Sequence, residues 1–184
     1  MFKGIQIIIG AAVAAAMVCG AHAATTKKAT LDAFAVWTSN AQIVQTANRQ
    51  VSLTGTLGGP LFVETGDGPA EVGNVACPAK IDVSLDSGNE KGAGNCTFVG
   101  DGGSKAFGDW TCTGNIENGC AGAFTFTGGT GALANVKGGS DILFLSHSHD
   151  FSEAASGSVA DKTEGITIWP ELQLEIRQAL AQKK

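Results

Sequence analysis

The stretch NVACPAKIDVSL, residues 74–85, carries its larger apolar side chains at alternate positions. This period of two is typical of a β-strand with one buried face, because successive side chains on a strand point to opposite sides. The residues that share the apolar face are Val75, Cys77, Ile81, Val83 and Leu85. The same rhythm returns in AFGDWTCT, residues 106–113, where Gly108, Trp110 and Cys112 alternate with polar or aromatic neighbours.

Turn signals separate these runs at intervals of about ten residues. Two of them are TGDGP at residues 65–69 and GDGG at residues 100–103. The 26 glycines among 184 residues follow no collagen-like period and punctuate short apolar runs instead. The pattern predicts antiparallel strands that close into a barrel or a sandwich. It also predicts a bend between two strands at Gly58-Gly59-Pro60 and a loop over residues 86–94.

The two ends of this domain are less clearly marked. Residues 24–41 are expected to form an N-terminal lead-in, so that the β-barrel domain spans residues 42–177 and residues 178–184 form a tail. Leu172, Leu174 and Ile176 alternate after Pro170, which favours a strand to about Arg177. The alternative is a helix that begins at Pro170, because Leu172, Ile176 and Leu180 share a helical face.

The first 23 residues have the features of a signal peptide. Lys3 supplies the positive start, residues 5–18 are largely apolar, and Ala21-His22-Ala23 is a small-residue cleavage site. Export to the periplasm or outside the cell is therefore predicted, with no transmembrane segment in the mature chain. An uncleaved anchor and a lipoprotein acylated at Cys19 are the alternatives.

Of the five cysteines, four remain after cleavage, and an even number in an exported protein indicates disulfides. We expect Cys77 to pair with Cys96 and Cys112 with Cys120, since each pair is close in sequence and separated by turn-forming residues. Zinc is the rival interpretation, but no two cysteines have the C-x2-C spacing.

The composition excludes two classes of protein. Hydrophobic residues make up 43% of the chain and charged residues 16%, which does not fit an intrinsically disordered protein. The net charge is -5, and the 12 lysines and arginines form no basic cluster, so no nucleic-acid partner is expected.

The segment AGAFTFTGGTGAL, residues 121–133, followed by Gly138-Gly139, resembles the signature of allene oxide cyclase and dirigent barrels. The segment GPLFVETGDGP at residues 59–69, Cys77-Pro78 and the late Ile168-Trp169-Pro170 are similar to small exported bacterial proteins of this barrel type, whose role is generally unassigned. The resemblance implies an eight-stranded antiparallel barrel with an apolar interior, often in homo-oligomers. In the plant members it implies cyclisation or coupling of bound apolar substrates, but no catalytic residue carries over to this chain.

Glu64 is the carboxylate best placed for a ligand pocket, because it ends the apolar run of residues 61–63 where a barrel mouth would lie. An exposed rim glutamate is the simpler interpretation. The aromatic residues that could line an apolar pocket are Phe62, Trp110, Phe124 and Phe126, although such rings usually fill the interior of a barrel. Phe124 and Phe126 share one strand face, which we expect to point inward.

Two other clusters suggest ligands only weakly. His147 and His149 are two apart on a strand, so they could hold a metal together with a carboxylate, but a solvated strand end explains them better. The candidate carboxylates are Asp150, Asp141 and Glu153. The glycines of residues 128–131 favour a turn over an anion site. We therefore expect no metal and no cofactor.

Together these patterns predict an exported β-barrel that is a non-enzymatic binding or structural module, for a small apolar ligand or for a protein partner. An isomerase or cyclase that acts on an apolar substrate inside the barrel is the alternative, and it rests on the resemblance alone.

Overall fold

A computed structural model describes residues 25–147 and 158–178 and shows a closed barrel of eight antiparallel strands. Each strand pairs with the next in sequence, and β8 pairs with β1 to close the barrel. This confirms the predicted fold class. The strands are β1 (Thr25–Ala47), β2 (Gln50–Glu64), β3 (Pro69–Ser84), β4 (Asn89–Gly100), β5 (Lys105–Asn115), β6 (Gly119–Thr130), β7 (Lys137–His147) and β8 (Ser158–Gln178).

The first strand covers the segment that was expected to be a lead-in. Residues 25–41 lie in β1, where Ala33, Ala35 and Trp37 are buried and the intervening side chains point outward. Phe34 and Val36 alternate here with the buried alanines, so residues 33–37 are continuously apolar and show no period of two in the sequence. Pairing with both β2 and β8 supplies the burial that the alanines alone do not indicate.

The break between the first two strands falls at Asn48 and Arg49, not at the Gly-Gly-Pro segment. Arg49 adopts a positive φ of 54°, and its guanidinium group pairs with Asp86 of the next turn at the same end of the barrel. Strand β2 runs unbroken through Gly59 and Pro60. A β-carbon at Gly59 would lie 3.1 Å from Cα of Trp37, so this glycine permits a close approach of two strands instead of a bend.

The predicted loop over residues 86–94 is a turn only at its start, and β4 begins at Asn89. Gly92 and Gly94 face the interior, where the indole of Trp110 occupies the space that their side chains would need. The glycines therefore belong to the strand, because they accommodate a bulky neighbour.

The last strand confirms the predicted extended conformation after Pro170. The register between β1 and β8 shifts between Leu31 and Ala33, opposite Pro170 and Glu171. Glu171 has a positive φ of 47°, and its backbone N–H donates to Oδ1 of Asp32 at 2.8 Å. A β-bulge thus allows the proline to lie within a paired strand.

Aromatic side chains from several strands meet inside the barrel in two groups. In the first, which we call the Phe98 cluster, Phe98 packs edge-on against Phe124, Phe126 and Trp169 at centroid distances of 5.5, 5.9 and 5.4 Å. In the second, the Phe144 cluster, Phe144 stacks between Trp37 and Trp110 at 4.9 and 5.8 Å. These seven rings, contributed by six of the eight strands, fill the middle of the barrel and the half nearer Glu64.

Two disulfides link inward-facing positions on adjacent strands. Cys77 pairs with Cys96 between β3 and β4, with Cα atoms 4.1 Å apart, and Cys112 pairs with Cys120 between β5 and β6, at 5.4 Å. These are the two pairings expected from the sequence. Both disulfides lie in the interior wall, where one cross-links the β3–β4 hairpin and the other cross-links the β5–β6 hairpin.

Candidate functional site

The barrel interior becomes polar at the end where β4 begins. Beyond the Phe144 cluster, three inward-facing strand positions carry hydroxyl groups, Ser39 on β1, Ser146 on β7 and Thr163 on β8. Glu90 on β4 faces the same interior. This polar end is the strongest candidate for a functional site, since the remainder of the interior that the structure describes is almost wholly apolar.

Glu90 is placed inward by the alternation of β4, in which Cys96 and Phe98 are also buried. It is paired in register with Val83 on one side and Gly114 on the other. Only 3% of Glu90 is exposed, and its Oε1 atom has no hydrogen-bond partner among the described residues. Burial raises the pKa of the Glu90 carboxyl, because removal from water disfavours the charged form.

A small, partly open cavity lies beside this carboxyl. Its volume is about 10 Å³, close to what one water molecule needs. The polar part of its wall is formed by Glu90, Ser146 and Thr163, and Ser39 lies directly opposite Thr163 in the pairing of β1 with β8. The apolar part is formed by Trp37, Leu53, Leu57, Ile81 and Phe144.

Two of the hydroxyl groups at this end resemble Glu90 in that they are buried without a hydrogen-bond partner in the described part of the chain. The Oγ atom of Ser39 and the Oγ1 atom of Thr163 are buried and have no hydrogen-bond partner among the described residues. Buried polar atoms normally find a partner in the protein or in an ordered guest, since an unsatisfied one costs about 1–3 kcal/mol. The arrangement is therefore suited to hold a small polar guest.

Glu90 also borders a second space, outside the barrel. A groove of about 620 Å³ crosses the outer ends of β2 to β5, and Glu90 forms part of its floor. Asp82 also lines this groove, and its Oδ2 atom accepts a hydrogen bond of 2.8 Å from Nζ of Lys80, which lowers the pKa of the exposed Asp82 carboxyl. The other groove residues are polar or small, namely Gln50, Ser84, Asn89, Lys91, Thr113 and Gly114. Glu90 thus separates the outer groove from the inner cavity.

A different surface, on the outer side of β1, β2, β7 and β8, is apolar. Phe34 stacks on Phe62 across β1 and β2 with ring centroids 5.1 Å apart, and Val36 is 50% exposed. A groove of about 550 Å³ runs between Val36, Leu145 and Ile166. We call this the outer apolar face, formed by Phe34, Val36, Phe62, Leu143, Leu145, Ile166 and Ile168.

The residues predicted to line one ligand pocket lie in three different places. Trp110, Phe124 and Phe126 are buried inside the barrel, and the two phenylalanines point inward as expected. Phe62 is on the outer apolar face. Glu64 is exposed, at the end of the barrel opposite Glu90. The structure therefore does not bring these residues together.

The histidine cluster lies mostly outside the described residues. His147 ends β7 opposite Glu164, whereas His149 and Asp150 belong to the part of the chain that is not described. Within the described ranges, no group of three or more histidine, cysteine or acidic side chains is arranged to hold a metal.

Glu90 was not predicted from the sequence, because its segment resembles a polar, glycine-rich loop. One signal could have identified it. Counting back by twos from the apolar positions Phe98 and Cys96 passes through Gly94 and Gly92 and reaches Glu90, which places a carboxylate on the buried face of the strand.

Comparisons with known proteins identify no family for the chain. No protein-family model matches the sequence, and no curated protein matches it. Among solved structures, the chain is similar to the pterocarpan synthase dirigent protein GePTS1, with 16% sequence identity, coverage of 87% of this chain and 98% of that chain, and a TM-score of 0.36. In the ranges 25–147 and 158–178, no helix is long and apolar enough to span a membrane.

Proposed function

We propose that this protein is an exported binding module that acts through the outside of its barrel. The observation that carries the proposal is the filled interior. An eight-stranded barrel can either be packed by its own side chains or hold one small ligand, and the volume of the inward-facing residues decides between them.

The interior leaves little space for an apolar molecule. The Phe98 and Phe144 clusters fill the middle of the barrel, and the cavity beside Glu90 is about 10 Å³. Pockets for small organic ligands usually measure about 300–1000 Å³. The packing therefore gives no support to an isomerase or cyclase that encloses an apolar substrate in the barrel.

The outer apolar face offers the more suitable binding surface. Its side chains form two neighbouring rows across four strands, one containing Phe62, Phe34 and Ile168 and the other containing Val36, Ile166 and Leu145. Val36 is exposed and the other six side chains of the face are half-buried, and contiguous apolar surface that water reaches is typical of protein interfaces. The partner that we propose is a second copy of the chain, because an apolar face on one copy can pack against the same face on another.

Sedimentation velocity over a wide range of protein concentrations tests this proposal. We expect the wild-type protein to self-associate and Val36→Glu to be monomeric, because the substitution places a charge in the centre of the face. Thr111→Glu is the matched control, since it adds the same charge at an exposed outward position on β5. A wild-type protein that remains monomeric at every concentration, or equal association of both variants, would contradict the proposed partner.

Export is tested separately by sequencing the N-terminus of the protein purified from its own host. Cleavage after Ala23 should give a chain that begins at Ala24. A protein that retains Lys3 would contradict export with cleavage.

A further inference from the structure

The side-chain oxygen atoms in the wall of the cavity beside Glu90 can all accept hydrogen bonds. They are carboxyl and hydroxyl oxygens from Glu90, Ser146 and Thr163. A hydroxyl can turn its hydrogen away from the cavity and present a lone pair to it.

The single nitrogen donor among the lining side chains is already engaged. Trp37 lines the cavity, but its Nε1–H donates to Oγ1 of Thr167 at 3.0 Å. No lining side chain of this cavity offers a positively charged donor to Glu90. The wall therefore lacks what an ionised carboxylate needs, namely a positive partner.

Charged groups on the neighbouring strands do not supply that partner either. Asp82 and Lys91 flank inward positions on β3 and β4, and Lys162 and Glu164 flank Thr163 on β8. All four are exposed, and by the alternation of their strands they point outward. His147 is at the same end of β7, but its side chain is outside the described set.

From this geometry we propose that the cavity is a binding site for one small monovalent cation, held by Glu90 together with the hydroxyl oxygens of Thr163, Ser146 and Ser39. Hard cations prefer oxygen ligands of this kind. One carboxylate balances one positive charge. A divalent ion would retain an uncompensated charge in a buried site and would need more ligands than this wall provides.

The size and position of the cavity fit this guest. A volume of about 10 Å³ admits a water-sized particle and excludes a bulky organic cation. Glu90 also forms part of the floor of the outer groove, so a shift of this one side chain would give the cation a route between solvent and the interior. Trp37 and Ser146 line both this cavity and the groove of the outer apolar face, but the cation proposal does not rest on the proposed self-association.

Thermal unfolding of the purified protein tests the proposal. It is measured at equal ionic strength in sodium, potassium, ammonium or choline chloride. Choline is the control salt, because it is too large for the cavity. We expect a saturable rise in Tm of about 5 °C with at least one of the three small cations relative to choline. The ranking of sodium, potassium and ammonium identifies which ion the site prefers.

Three variants make the test specific. Glu90→Gln keeps the shape of the side chain but removes its charge, and it should abolish the difference between the small cations and choline. Glu117→Gln removes the same charge from an exposed turn and should retain that difference. Thr163→Val removes one proposed ligand while leaving Glu90 in place, and it should weaken the saturable effect several-fold, which keeps the proposal testable if Glu90→Gln does not fold.

Three results would overturn the proposal. One is an identical Tm for the wild-type protein in all four salts. Another is a cation effect that persists in Glu90→Gln. The third is a crystal structure grown in rubidium or thallium salt that shows no anomalous peak beside Glu90 but an ordered water there, which would assign the cavity to water.

Discussion

Gly92 on β4 lies directly against the indole ring of Trp110 on β5, so that a β-carbon at position 92 would stand 2.9 Å from Cζ3 of Trp110 and 3.1 Å from Sγ of Cys112. Both neighbours are held in place, Cys112 by its disulfide and Trp110 by stacking on Phe144. The glycine is therefore a packing residue, and its missing side chain is part of how the barrel accommodates a large ring.

This contact predicts that Gly92→Ala lowers the free energy of unfolding by about 1–3 kcal/mol, because overpacking forces the indole or the strand to move. Urea unfolding followed by circular dichroism measures the change. Gly58→Ala is the matched control, since the nearest atom to its added β-carbon is 3.7 Å away. An equal loss in both variants would show that strand glycines matter here for backbone reasons and not for the ring.

Phe126 lies in the Phe98 cluster, with its ring centroid 4.9 Å from that of Phe124. Phe126→Ala should lower the free energy of unfolding by about 3–5 kcal/mol and leave a cavity among the remaining rings. A small fluorescent apolar probe, which should bind the wild-type protein weakly, should then bind the variant more tightly. Near-ultraviolet circular dichroism at the same protein concentration verifies that the variant keeps its packed core.

Phe62→Ala is the control for this experiment, because Phe62 is aromatic but lies on the outer apolar face. It should create no interior cavity and no new probe site. Tight probe binding by the wild-type protein, abolished by a bulky substitution at an interior position, would contradict the filled interior.

The buried carboxyl of Glu90 predicts a dependence of stability on pH. Its pKa is raised in the folded state, so folding favours the protonated form. The resulting stabilisation is complete below the pKa of the unfolded chain, about 4.3, and is lost as the pH rises through the folded-state pKa. In choline chloride, which supplies no small cation, the free energy of unfolding of the wild-type protein should therefore fall over this range.

Glu90→Gln lacks the titrating group, so the difference in unfolding free energy between wild type and variant should change with pH in the same range. Urea unfolding at several pH values measures this difference. The contribution of Asp82 to stability depends on pH in the opposite direction. Its hydrogen bond to Lys80 lowers its pKa, so the stabilisation that Asp82 provides is lost as the pH falls. A difference that is constant from acidic to neutral pH would contradict the burial of an ionisable Glu90.

The two disulfides predict a definite peptide map. Digestion of the purified protein without reduction should yield one fragment that joins Cys77 to Cys96 and another that joins Cys112 to Cys120. Replacement of Cys112 and Cys120 by Ser should lower the free energy of unfolding by about 2–3 kcal/mol, because the unfolded chain gains freedom. A fragment that joins Cys77 to Cys112 would contradict the register of β3 to β6.

The strand alternation and the turn signals were sufficient to predict antiparallel strands in a barrel or a sandwich, because both are local properties of the chain, whereas the choice of an eight-stranded barrel came from the family resemblance. In residues 74–85 the larger apolar side chains recur at alternate positions, and the structure buries Val75, Cys77, Ile81 and Val83 on one face. The disulfide partners could also be predicted, since each pair belongs to one hairpin and is close in sequence. The inward orientation of Phe124 and Phe126 followed from the same period of two.

Only the tertiary structure decided where glycines, small residues and Glu90 belong, because their environment comes from strands that are distant in sequence. Gly92 leaves space for the ring of Trp110, and Gly59 allows β1 to approach β2 closely, so neither glycine marks a loop or a bend. The alanines of β1 are buried in the core because β1 pairs with β8, which comes from the far end of the chain. Closure of the barrel also placed Glu90 of β4 and Thr163 of β8 around one cavity, a proximity that no local pattern encodes.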